Sequence, residues 1–137
     1  MIATRMNANG IDRREFVAAI AAAAFVPFGS IAQGADMYGL IGKAIAVSGK
    51  RDDLIAILLE GATNLPGCLS YVVAKDASDP NAIWISEVWT SKAAHDASLS
   101  LPSVKDAIAK GRPLIAGFGE RIVTEPIGGY GLAAKGL

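Results

Sequence analysis

From Tyr38 onward the chain alternates short β-period runs with one long helical stripe. Tyr38 to Val47 predicts a strand, with Ile41, Lys43, Ile45 and Val47 on one face and Leu40, Gly42, Ala44 and Ala46 on the other. Ser48-Gly49 breaks it. Arg51 to Leu65 then predicts a helix, because Leu54, Ile57, Leu58, Gly61 and Leu65 make one apolar stripe at helical spacing. Asp52 and Asp53 sit at its positive N-terminal end, and Pro66-Gly67 stops it. Cys68 to Lys75 and Ala82 to Trp89 are the next two strands, joined by a turn rich in Asp, Ser and Pro, so they form a hairpin. In the second of these, Ile83, Ile85, Glu87 and Trp89 share one face; Trp84, Ser86 and Val88 share the other. Ser91 or Thr90 caps a short helix from Lys92 to about Ser100, and Pro102 opens another from Ser103 to about Lys110. Phe118 to Ile127 predicts the last strand, followed by a Gly-rich tail over 128–137 that is expected to be flexible unless it crosses to a partner.

The resulting order, β-α-β-β-α-β with the second helical stretch split in two, is the α+β, ferredoxin-like arrangement of one antiparallel sheet. Helices cover only one face of such a sheet, yet these strands carry apolar residues on both, including Trp84 and Val88 opposite Ile85 and Trp89. An uncovered apolar face invites a partner, and a symmetric homodimer is the economical one.

The N-terminal 35 residues differ in kind. Arg5, Arg13 and Arg14 supply positive charge, and no charged residue then occurs from Phe16 to Ala35. A basic start, a short apolar run and a small-residue exit predict an export signal over 1–35. Arg13-Arg14 followed by Phe16 resembles the twin-arginine type. Pro27, Gly29, Ser30 and Gln33 interrupt the run, which is too short to span a bilayer and leaves no stable membrane anchor after cleavage. The expected location is periplasmic or secreted, with the folded domain occupying 36–127.

Composition narrows the chemistry. The chain has 137 residues, enough for one domain, is 52% hydrophobic, and balances 13 basic against 13 acidic side chains. A formal net charge of zero supplies no field for phosphates, so nucleic acid is not an expected partner. One cysteine, Cys68, and one histidine, His95, are too few for a zinc site of His and Cys ligands.

Pro66-Gly67-Cys68-Leu69-Ser70-Tyr71, the Asp-Pro turn, Glu87-Val88-Trp89-Thr90-Ser91 and His95 together resemble the antibiotic biosynthesis monooxygenase (ABM) domain family over about 38–127. The resemblance implies a dimeric α/β barrel with a pocket between sheet and helices in each subunit. It also implies oxygenation of an electron-rich aromatic by O2 with no metal or other cofactor. Ser103 stands where many members carry a second histidine. Lys43 and Ile108 stand at the Asn and axial His positions of the haem-degrading relatives, which argues against haem degradation.

Oxygenation of this kind needs a base, a dry pocket and orientation. His95 is the expected base, with an ordinary pKa of about 6.5. Glu87, on the helix-covered face, is expected to orient His95 or to act as base itself. Trp89, Tyr71 and Lys43 are expected to bind the substrate: Trp89 and Tyr71 as aromatic walls, Lys43 by pointing into the same cleft. Each has a structural alternative: a surface or hydrogen-bonded histidine, a core tryptophan, or a Glu87 carboxylate paired with Lys43, Arg112 or Arg121. The function expected is oxidation of a quinol-like or polyphenolic molecule by O2. The alternative is an exported dimeric binder of small aromatics or haem.

Overall fold

Alternation carries Tyr38–Ala46 into strand β1, whose buried positions are Tyr38, Gly39, Leu40, Gly42, Ala44 and Ala46. The computed structural model describes residues 36–132, so the expected export segment and the last five residues of the tail lie outside the described residues. Helix α1 spans Arg51–Gly61, β2 Cys68–Lys75, β3 Ala82–Trp89, α2 Lys92–Ser98 and α3 Pro102–Gly111; a 3-10 turn over Arg112–Leu114 leads into β4, Ile115–Thr124. The four strands form one antiparallel sheet in the order β2-β3-β1-β4, the ferredoxin-like topology. No helix among the described residues is long and apolar enough to cross a membrane.

Local signals set most boundaries. Ser91 caps α2 by accepting a hydrogen bond from the Ala94 amide (3.0 Å), and Pro102 occupies the first turn of α3. Helix α1 ends at Gly61, four residues before the expected Leu65. Asn64 adopts a left-handed conformation (φ 54°), which Asn tolerates better than most residues, and Pro66 disfavours helix at Leu65. Leu65 is thereby freed to pack on Tyr38, Leu40 and Trp89. The last strand begins at Ile115, three residues before the expected Phe118, because the 3-10 turn delivers Ile115 directly opposite Ala46. It ends at Thr124, and from Glu125 the described tail has no regular structure, with Ile127 and Tyr130 fully exposed.

Register assigns the faces. Tyr38 opposes Trp89, Leu40 opposes Glu87, Gly42 opposes Ile85 and Ala44 opposes Ile83, so these residues share the face beneath the helices. Ile41, Lys43, Ile45, Trp84, Ser86 and Val88 lie on the outer face. Buried residues under the helices form two clusters, one around Tyr38, Leu40 and Trp89 and one around Ala46, Leu54 and Ile83. A cavity draws its walls from both.

Candidate active site

The cavity is about 670 Å³, within the usual size range for small-molecule sites, and lies between the sheet and all three helices. Its walls are mostly apolar, with Leu58, Ile85, Leu99, Val104, Ile108 and Phe118 among them. Polar groups are few: Glu87, Trp89, His95, Tyr71, Ser98 and two arginines, Arg112 and Arg121.

Three of these groups cluster at the Tyr38 end. The Trp89 indole Nε1–H donates to Glu87 Oε2 at 2.8 Å. Strand alternation makes this possible, since residues 87 and 89 project from the same face. His95 is 4% exposed, with its Nε2 4.0 Å from the same Oε2. That gap exceeds a hydrogen bond, so Glu87 does not hold Nε2. On its other side, His95 Nδ1 lies 3.1 Å from Asp96 Oδ1. A carboxylate there selects the Nδ1–H tautomer of the neutral ring and leaves the Nε2 lone pair as the basic site. The ring is wedged between Trp89 (centroids 5.4 Å apart, edge-on) and Tyr38 (5.1 Å, tilted). Ser98 Oγ donates to the His95 carbonyl at 2.6 Å.

Burial raises the Glu87 carboxyl above its ordinary value; the Trp89 hydrogen bond, His95 and Arg121 oppose this without overcoming it. Tyr71, opposite Glu87 across the β2–β3 pair, is pushed up from its ordinary 10.0 by burial first and by the negative charges of Glu87 and Cys68 second. It is therefore a protonated phenol at neutral pH.

The sequence profile of the antibiotic biosynthesis monooxygenase family matches residues 37–110, more than half of the chain. The chain belongs to that family. A Chloroflexus aurantiacus crystal structure, provisionally named as an antibiotic biosynthesis monooxygenase, shares 67% identity; the match covers 70% of this chain and 98% of that one, with a TM-score of 0.69. One from Caulobacter crescentus, named in the same way, is 20% identical over 69% of this chain and 93% of its own, with a TM-score of 0.63, and shows the shared fold. An uncharacterized Synechocystis protein is 30% identical over 70 residues, 49% of this chain and 48% of its own length. The chain thus spans about half the length of that curated relative.

Within the ABM frame, four expected residues meet at one cavity: His95, Glu87, Trp89 and Tyr71. Lys43 requires a correction. Its strand segment borders the cavity, but its side chain leaves on the outer face, where Nζ lies 5.2 Å from the centroid of the Trp84 ring and 3.4 Å from Asp76 Oδ2. Lys43 faces outward for the same reason Ile41 and Ile45 do: Leu40, Gly42 and Ala44 take the inward positions of β1. Asp76, held well below the carboxylate range by hydrogen bonds from the Ser78 amide, the Trp84 indole and the Asp79 amide, is its counter-charge; the Lys43–Glu87 pairing does not form. Ile108 lines the ABM cavity as an apolar residue.

The residue that simple alternation misplaces is Arg121. Phe118 and Arg121 are three apart and would face opposite ways in a regular strand. Between them β4 holds one extra residue: Ala44 opposes Phe118 while Gly42 opposes Arg121. This bulge turns both side chains toward the cavity. The signal in the sequence is the Gly117-Phe118-Gly119 spacing, since glycine inside a strand often marks a bulge.

Proposed function

We propose that this ABM-family chain is a monooxygenase that oxidises a quinol-like or polyphenolic molecule with O2 in the cavity, using the substrate itself as reductant. The observation that carries this reading is the buried His95–Glu87–Trp89 group at one end of a largely apolar chamber of about 670 Å³. His95 Nε2 takes the hydroxyl proton, which makes the ring oxygen anionic and the ring easier to oxidise. Tyr71 presents a flat wall to the ring, and Trp89, almost wholly buried, backs the site by holding Glu87 in place. The apolar lining limits the water that reaches the intermediate. The quinolate then transfers electrons to O2, a C–O bond forms at a ring carbon, and the O–O bond breaks. Quinol plus O2 gives hydroxyquinone plus water, and all four electrons come from the quinol.

In this reading the protein works as a homodimer, which the apolar outer face bearing Ile41, Trp84 and Val88 supports. It works outside the cytoplasm, periplasmic or secreted, which the Arg13-Arg14 pair and the uncharged run after it support.

The test is oxygen uptake by the full chain with a panel of quinols, comparing wild type with His95→Ala. Uptake that falls at least 100-fold in the variant while substrate affinity is kept supports the reading, since general-base catalysis contributes about 10²–10⁴-fold. Saturable aromatic binding with no uptake would instead make the protein a binder.

A further inference from the structure

Arg121 is a charged group in this cavity to which the proposed chemistry gives no task. Its Nε is buried and, among the described residues, is the only buried side-chain nitrogen or oxygen with no hydrogen-bond partner. A guanidinium is charged at every accessible pH, and an unpaired buried donor is costly, so such groups call for a reason. Helix packing does not supply one, because the side chain borders the cavity. Nor does Glu87: it feels the positive charge of Arg121, but among the described residues no ion pair forms between the two. The backbone has gone out of its regular path to place this cation. The β4 bulge re-aims Arg121 inward, and Gly119 in the bulge is needed for clearance, since a Cβ there would come within 2.9 Å of Lys43 Cδ on the outer face. Bulges commonly re-aim a side chain beside an active site. Arg112 adds a second, exposed cation to the cavity wall. Against Arg121 and Arg112 stands one carboxylate, Glu87, so the chamber is biased toward anions.

We propose that Arg121 is the receptor for an anionic oxygen on the aromatic ligand, a carboxylate or an ionised ring hydroxyl, and so selects anionic aromatics over neutral ones. This rests on the cavity being the substrate chamber and narrows the substrate class of the reading above. Arg121 holds the oxygen by charge-assisted hydrogen bonds from the part of its guanidinium that borders the cavity, while His95 and Glu87 address the ring from the Trp89 end.

Calorimetric titration of the full chain under argon tests this with three probes: 2-naphthoate, its neutral counterpart 2-naphthamide, and naphthalene-1,4-diol. Wild type is expected to prefer 2-naphthoate to 2-naphthamide. Arg121→Met should weaken the anion about 10- to 100-fold, the worth of one hydrogen bond to a charged group, while 2-naphthamide changes less than threefold. Arg121→Lys should recover part of the loss. Retained 2-naphthamide binding shows that the variant cavity is intact. If 2-naphthoate is unaffected but the diol depends on Arg121, the anionic oxygen is a ring hydroxyl, and the proposal stands for that source. Equal losses for anion and amide, or no loss for either naphthoate or diol, overturn it. Arg121-dependent selectivity without any oxygen uptake in air would sink the oxidation reading and leave this inference standing. Uptake without such selectivity would do the reverse.

Discussion

Trp89→Phe is the sharpest test of how the site is held. The wild-type indole donates to Glu87 Oε2 at 2.8 Å, Trp89 is 1% exposed, and the Glu87 side chain is 14% exposed. Water therefore replaces little of what is lost. A hydrogen bond to a charged group contributes about 1.5–3 kcal/mol. The smaller ring also buries less apolar surface, which costs about 1 kcal/mol more at ~25 cal/mol per Å². The expected cost is thus about 2.5–4 kcal/mol, a large share of the roughly 5–15 kcal/mol that holds a domain together. Replacing Glu87 by Gln keeps an acceptor but removes the charge, so the same Trp89→Phe change should cost about 1 kcal/mol less in that background. Urea unfolding of the four proteins at pH 7.5 and one fixed concentration, followed by far-ultraviolet circular dichroism, reads both quantities. A single-variant cost below about 1 kcal/mol, or identical costs in the two backgrounds, would refute the argument that this bond is charged and buried.

The other expectations concern charge, close packing and the outer face. Burial raises Glu87 above its ordinary 4.5, so its contribution to stability is fully present below that value and is lost as pH rises through the folded value; melting temperatures from pH 4 to 8 should fall for this reason in wild type and fall less in Glu87→Gln. A Cβ on Gly61 would lie 2.5 Å from the Ala107 Cβ, so Gly61→Ala should destabilise the fold, where a helical Gly→Ala usually gains up to about 1 kcal/mol, and Ala107→Gly should restore part of the loss in thermal unfolding. Lys43→Met should leave aromatic affinity within about twofold by calorimetry, because its ammonium sits on Trp84 and Asp76 on the far side of the sheet, roughly the scatter expected of a change distant from a site.

What the sequence made legible follows from periodicity. Strands β2 and β3 ended where alternation ended, and the Glu87-Trp89 spacing placed both side chains on the helix-covered face with no knowledge of the partner strands. The paired face of β1 was harder to choose, because Lys43 stands among Ile41 and Ile45 while the inward positions are Leu40 and small residues. Small side chains look weak on a hydropathy scale, yet they leave the volume in which a ligand chamber forms. Arg121 was harder still. A period-two rule cannot carry a residue past a bulge, and the bulge is fixed by what β4 meets across the sheet.

The same volume explains why the core is divided. The chamber, about 670 Å³, opens to the surface and is not a sealed void inside the core. The chamber therefore holds solvent or a ligand, and the two side-chain clusters carry the stability around it. Filling it by mutation would stabilise the fold most easily at Leu58 or Ile85, which pack against the apolar cluster of Ala46, Leu54 and Ile83. Near Glu87, Trp89 and Arg121 the same enlargement would bury charge against hydrocarbon. The polar groups are thus grouped where a stable core would least accept them, which is what a binding site requires.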